Sequence, residues 1–285
     1  MLLYDDTTLV VSTQQTPTLD GDNASGSFDA PRGRWVPVAR SNVLPDGSAY
    51  VYELELRDGS GYDIHLVDVM SASDTVIYHM HYDDGYQVLR FEPASVYVFP
   101  ILHRSGLPSG LWRLDIATRT LSPIPNSMNM TWGWVASGVA WGGPGGAAGD
   151  SLYSLDLKSG ALTKWFQHPV QGAVFEGFGY GVSVFAFDRS GHPLVQVYPP
   201  PPNATSPQTT PVTPEIWLVT APGHATQLSG LPIPANGLTT GVTDAQGTWI
   251  VGGDGLYLYT EAGFQRMAGL PPEPMPNYAL AGPCA

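Results

Sequence analysis

The chain has 285 residues, a formal net charge of −13 and one cysteine, and only 13% of its residues are charged against 33 glycines and 27 prolines. Its basic residues are sparse, with Lys158 and Lys164 the only lysines, so it lacks the clustered cations that a nucleic-acid backbone requires and no nucleic-acid partner is expected. Cys284 alone permits neither an intrachain disulfide nor a cysteine-based metal site, and no run of about 18 apolar residues is present to cross a bilayer.

In chain order, Met1 to Asp6 lack the basic start and apolar core of a signal peptide. A short strand is expected at Thr8–Ser12. Residues 20 to 34 are rich in Gly, Asp and Ser and read as a loop. Within it Asp20 and Asp22 faintly suggest a calcium loop, but Ser25 stands where Gly is needed and Pro31 where a bidentate Glu is needed. Trp35–Val38 is a second expected strand, and Arg32, Arg34 and Arg40 are the nearest thing to a basic patch.

From there a pattern recurs, an apolar residue followed four positions later by Asp or Thr. The segments are Ile64–Asp68, Leu111–Asp115, Leu152–Asp156, Ile216–Thr220 and Leu256–Thr260, separated by 47, 41, 64 and 40 residues between first positions. Each reads as a strand apolar on both faces, and the oxygen-bearing side chain that ends it suits an Asx or Ser/Thr turn, so these acids are structural. Ahead of each lies a hairpin with turn chemistry at Pro45-Asp46-Gly47, Glu92-Pro93, Ser137-Gly138, Asp188–Gly191 and Asp244–Gly247. Behind each lies another apolar pair, beginning with Val76 and Ile77.

Five four-stranded units over residues 40 to 268 follow. A period of about 40 to 50 residues built from strands and tight turns predicts an all-β chain, a β-propeller. Six four-stranded blades are expected, the sixth closed by N-terminal strands and a tail strand at Tyr278–Ala281, with five or seven blades as alternatives. Residues 1–285 are read as a single propeller domain. The long interval holds residues 199–214, a proline-rich loop insertion.

Val43-Leu44-Pro45-Asp46-Gly47-Ser48-Ala49-Tyr50-Val51, followed by Ile64–Asp68, resembles the repeat of TolB-like propellers. Thr243 to Tyr257 is similar to the repeat of sensor propellers in bacterial two-component regulators. The resemblance implies a non-catalytic ring used for ligand sensing or protein contact, often in the bacterial envelope, and an extracytoplasmic location.

Several constellations are candidates for chemistry. If residues 79 to 83 are extended, His79, His81 and Asp83 share one face, and two imidazoles with a carboxylate form a plausible zinc set. Glu176, Asp83, Asp84 and Glu92 are the first carboxylates to test as a hydrolytic pair. Trp132 and Trp134 share a strand face, and with Tyr86, Phe178 and Tyr180 they are candidate ligand-stacking rings, although blade packing uses the same residue types. No Gly-x-Ser-x-Gly elbow, phosphate loop or dinucleotide fingerprint occurs, and no cofactor is expected. The sequence therefore points to a non-enzymatic propeller that senses a ligand, binds a protein or serves as a scaffold. The alternative is a propeller hydrolase or lactonase with carboxylates and a divalent metal in its channel.

Overall fold

The Asp that ends each of the first three repeated segments builds its own turn. A computed structural model of the chain describes residues 2–4, 9–11, 27–29, 34–36, 38–56, 58–81, 86–100, 110–144, 149–169, 181–198, 214–234, 238 and 241–269. In it Asp68 Oδ1 accepts the Met70 and Ser71 N–H groups and the Ser71 hydroxyl at 2.8–3.0 Å. Asp115 takes the Thr118 N–H and hydroxyl at 2.8 Å, and Asp156 takes the Lys158 and Ser159 N–H groups and the Ser159 hydroxyl at 2.7–3.0 Å. Four residues after each Asp the backbone turns left-handed, at Ala72 (φ 53°), Arg119 (φ 56°) and Gly160 (φ 70°), which returns the chain antiparallel. Donation from Ser71, Thr118 and Ser159, first through their backbone N–H groups, holds these three carboxyls below the usual carboxylate range.

Between such turns the chain runs in antiparallel meanders. Strands β1 (Leu2–Tyr4) and β2 (Leu9–Val11) pair, as do β3 (Ser27–Asp29) and β4 (Arg34–Val36). After a 3-10 turn at Arg40–Asn42 comes a three-stranded sheet of β5 (Ala49–Glu55), β6 (Gly61–Asp68) and β7 (Ser73–His81). Four four-stranded sheets follow, each in sequence order. The first is β8 (Tyr86–Glu92), β9 (Ser95–Pro100), β10 (Trp112–Asp115) and β11 (Thr120–Pro123). The second is β12 (Met130–Ala136), β13 (Val139–Pro144), β14 (Ser151–Asp156) and β15 (Leu162–Gln167). The third is β16 (Gly181–Phe187), β17 (Pro193–Tyr198), β18 (Glu215–Ala221) and β19 (His224–Leu228). The fourth is β20 (Val242–Thr243), β21 (Thr248–Val251), β22 (Gly255–Thr260) and β23 (Gly263–Gly269). Serial four-stranded meanders at this period are propeller blades.

The last four repeated segments fall on the third strand of their sheets, as expected, and Ile64–Asp68 falls on the second of three. The leading unit differs from the prediction, because its first strand is reduced to a single bridge, Val43 to Tyr50. The 3-10 turn occupies the preceding residues, and the Leu44 N–H closes on the Ala49 carbonyl around Pro45–Gly47, so no longer ladder forms. The expected tail strand at Tyr278–Ala281, the acidic loop at residues 20–26 and nearly all of the proline-rich insertion lie outside the described residues.

The chain divides into two compact units, each considered by itself: Gln14–Trp141 with Leu155–Leu162, and Met1–Thr13 with Gly142–Ser154 and Thr163–Ala285. In the former, Ile64, Phe91, Val96, Val98 and Leu114 form one core cluster, and Leu111, Ile124, Trp132, Ala140 and Leu155 another. In the latter, Phe185, Leu194, Ile216, Ile250 and Tyr257 play the same part. First and fourth positions of the repeat are buried at Leu111 and Leu114, Leu152 and Leu155, Ile216 and Val219, and Leu256 and Tyr259. Burying each such side chain contributes about 1.5–3 kcal/mol.

Adjacent sheets are also tied by side chains that reach across to a neighbour's first strand. Glu53, opposite Ile64 in the ladder, accepts the Val88 N–H of β8. Gln196, opposite Ile216 and therefore at the same repeat position, accepts the Leu238 N–H at 2.8 Å just ahead of β20. Burial pushes the Glu53 carboxyl up from 4.5 to about 7, against the opposing effect of the Val88 N–H. A carboxyl raised on folding binds its proton more tightly in the native state, so its contribution to stability falls as pH rises from about 4.5 through about 7. Glu53→Gln, which copies the residue used at Gln196, is expected to abolish this dependence. Its unfolding free energy should match that of wild type at pH 4 and exceed it at pH 8, by at most about 3 kcal/mol.

Candidate functional site

The unit containing Gln14–Trp141 presents the first strands β8 and β12 packed against one another, with β8 also packed against β5 and the 3-10 turn at Arg40. Side chains exposed on these strands are polar or absent: Gln87 on β8, Thr131 and Gly133 on β12. Gly133 is unusual among the strand glycines. A Cβ at Gly61 would stand 1.9 Å from the Met80 carbonyl oxygen, so packing demands glycine there, whereas a Cβ at Gly133 would meet nothing among the described residues within 4 Å. Nor does Gly133 have a positive φ.

On β8 the register slips by one residue between Val88, opposite Val98, and Arg90, opposite Tyr97. This bulge changes the aim of the side chains that follow it. Arg90 is half-buried, and burial first, then the charge of Arg40, weakens its hold on its proton, while Glu92 acts in the opposite sense. Glu92 in turn accepts from the Tyr97 hydroxyl, whose pKa is raised chiefly by burial. Glu92, one of the candidate acids, thus lies among Arg90 and Tyr97.

Elsewhere acids and histidines pair within or between neighbouring strands. His65 stacks on Tyr52 with ring centres 4.6 Å apart, and Asp74 holds both, at 2.7 Å from His65 Nδ1 and 2.6 Å from the Tyr52 hydroxyl. Burial, then Asp74, drives the Tyr52 hydroxyl well above its ordinary value. His168 Nε2 and Trp217 Nε1 both donate to Glu215 Oε2, at 3.0 and 2.9 Å. His192 bonds Asp188 at 2.9 Å across its own turn.

His79 and His81 share one face of β7, as period two predicts, with rings edge-on at 5.3 Å. His79 Nδ1 is 2.7 Å from Asp63 of the neighbouring strand. Asp83, the third member of that set, lies outside the described residues, as do Asp84, Glu176, Phe178 and Tyr180. Among the described residues no group of three or more His, Cys, Asp or Glu side chains is arranged to hold a metal ion. Tyr86 and Trp132 are core residues: Tyr86 packs edge-on against Trp112, and Trp132, 1% exposed, donates its indole N–H to the Ser127 carbonyl at 2.8 Å. Trp134 is half-buried. Sequence reasoning passed over Arg90 and Gly133. The available signals were an arginine inside an apolar strand, Tyr86–Glu92, and a glycine between two tryptophans.

No known protein family matches the sequence, and no curated protein matches it. Solved structures do match, at the level of the fold. A prolyl endopeptidase is similar at 12% identity and a TM-score of 0.54, covering 85% of this chain and 38% of its own. An oligogalacturonate lyase in complex with manganese is similar at 15% identity and a TM-score of 0.51, covering 80% of this chain and 63% of its own. The acylaminoacyl peptidase of Pyrococcus horikoshii follows at 10%, with a TM-score of 0.50 and coverages of 83% and 40%. The chain is a β-propeller. It spans less than two thirds of each of these structures, and the repeat's resemblance to TolB-like propellers likewise goes no further than fold. No helix among the described residues is long and apolar enough to cross a membrane.

The packing assignment of the tryptophans has a direct check. Trp132→Ala is expected to lower stability by about 3–5 kcal/mol, and Trp134→Ala, from a half-buried position, by clearly less. Urea denaturation of both variants would measure the difference, and equal losses would remove the distinction.

Proposed function

We propose that this chain is a non-enzymatic recognition module, a propeller that binds a ligand along β8 and β12. The observation that supports it is Gly133. Glycine in a strand interior costs about 0.5–1 kcal/mol relative to a residue with a side chain, and here neither φ nor packing asks for it. A strand glycine that neither φ nor packing requires occurs at bulges, at bends and where a ligand or another backbone comes close, and we take the last of these as the reading for Gly133. Exposed Gln87 and Thr131 supply hydrogen-bonding groups on the same pair of strands.

The wider reading belongs with this proposal. We take residues 1–285 as one propeller of six blades, closed by strands from both chain ends, and place it outside the cytoplasm of a bacterium. The repeat's resemblance to envelope propellers supports the location. Closure would also cover the strand edges that a linear array leaves exposed.

Gly133→Val tests the function. It is expected to fold and to melt about 1–3 °C higher, because strand propensity improves and nothing is displaced. Calorimetry against a panel of neutral and carboxylated oligosaccharides should show saturable binding by wild type, without product formation, weakened more than tenfold in the variant. Oligogalacturonate belongs in that panel because the lyase among the structural neighbours is named for it. Turnover of a panel member together with a stoichiometric divalent metal would overturn the proposal in favour of the hydrolase or lactonase reading. A lower melting temperature for Gly133→Val would show that the fold itself needs the glycine.

A further inference from the structure

Among the described residues, four buried side-chain polar atoms have no hydrogen-bond partner: Arg40 Nη1, His65 Nε2, Arg90 Nε and Trp112 Nε1. Two of the four belong to arginines brought to one place by different elements. Arg40 opens the 3-10 turn that packs against β8, and Arg90 stands on β8 directly after its bulge. The remaining contact of the Arg40 guanidinium is a long one, from Nη2 to the Pro45 carbonyl at 3.4 Å.

Among the described residues the charges around this pair do not cancel. Arg40 acts on Arg90 as a like charge, and the described acid acting on Arg90 is Glu92, which also accepts the Tyr97 hydroxyl. Arg113, opposite Tyr97 in the ladder, adds a further positive charge that acts on Tyr97 and on Asp115. The surplus stands out in a chain with 25 acidic residues and a formal charge of −13. Elsewhere acids are spent on turns and histidines, yet here two guanidinium groups are brought together, partly desolvated, with donors left unmet. Leaving a buried charged donor unpaired is costly, and placing a like charge beside it adds to the cost. Nη1 of Arg40 and Nε of Arg90 are themselves closed to solvent, but both residues are only half-buried, and an anion at their accessible part relieves the like-charge penalty. The planar guanidinium fork, with several N–H donors in fixed geometry, suits the two oxygens of a carboxylate.

We propose that Arg40 and Arg90 form a binding site for the carboxylate of a small organic anion. The site rests on the recognition reading above and deepens it, since β8 carries Arg90 and packs against β12 with its open Gly133. It gives the ligand a charge, where Gly133 indicated only that something approaches.

The test uses the full chain with citrate as the probe, at constant ionic strength set with sodium chloride, and with inorganic phosphate as a second anion. Citrate is expected to bind saturably by calorimetry and to raise the melting temperature beyond the chloride control. Arg40→Gln and Arg90→Gln should each weaken it at least tenfold, and Arg90→Lys should restore it incompletely, because a point charge cannot replace a fork. Without citrate the Gln variants should melt at or above the wild-type temperature, a result that a purely structural role would not give. Tighter binding of phosphate than of citrate would overturn the carboxylate assignment. A citrate effect no larger than that of chloride, or unchanged citrate binding in the variants, would overturn the site. Should Arg90→Gln not fold, Arg40→Gln carries the test from its turn position. The two proposals fail separately. A neutral ligand lost on Gly133→Val with no response to citrate keeps the recognition reading and removes the site, whereas carboxylate binding followed by turnover keeps the site and removes that reading.

Discussion

A meander sheet solves its hydrogen bonding everywhere except at its edges, and that remainder shapes this molecule. The first strand of each blade has one ladder and one row of unpaired backbone groups, which cannot be buried unmet. Side chains of a neighbouring blade meet part of the need. Glu53 takes the Val88 N–H, Gln196 takes the Leu238 N–H, and the Thr243 and Thr248 hydroxyls both donate to the Phe187 carbonyl. Main chain does the same where Gly241 donates to Phe185. Apolar contact between sheets is nonspecific in register, whereas these bonds fix which residue faces which.

That constraint explains why one bolt is charged and the other is not. Both occupy the position opposite the first residue of the repeated segment, so the geometry asks for an acceptor at the end of a side chain of this length. An amide meets the requirement at 3% exposure, and Gln196 is a neutral solution. Glu53 meets it with a group that burial pushes toward neutrality, so this seam between blades carries a proton equilibrium that the other lacks.

Much of the fold was legible in the sequence because its signals are local. Asp68, Asp115 and Asp156 stand at fixed distances from an apolar segment and from a Ser or Thr three residues on, and the turn they build needs no information from elsewhere in the chain. The hairpin at Ser137-Gly138 was visible for the same reason, both residues taking the left-handed conformation such a turn needs. The leading blade was misjudged because the reduction of its first strand to a single bridge depends on a 3-10 turn at Arg40–Asn42, and three polar residues there carry no periodic signal. Trp132 and Trp134 illustrate the limit of pattern on the site side. Period two assigns both to one face, but it cannot tell that Trp132 finds the Ser127 carbonyl and a closed core while its neighbour two positions on stays half-exposed. Burial is settled by the adjoining sheet, which lies far away in sequence.

The candidate site was illegible for a related reason: it consists of things that are unremarkable singly. A glycine in a strand, an arginine at a bulge and an arginine at a turn each have ordinary structural explanations. Only their surroundings remove those explanations, and they do so independently. Gly133 lacks the steric need that Gly61 has. Arg90 follows a one-residue slip that costs β8 part of its ladder with β9. Arg40 brings a second guanidinium toward the first although the chain is rich in acids. His65 offers the contrast. It too breaks the repeat, replacing the Trp or Tyr of the other segments, yet its ring stacks on Tyr52 and its Nδ1 meets Asp74, so the fold absorbs most of the irregularity. Natural sequences are locally consistent except where something besides folding constrains them. By that criterion the first-strand face of this unit, and not the histidine pairs, is where the chain departs from folding requirements without internal compensation.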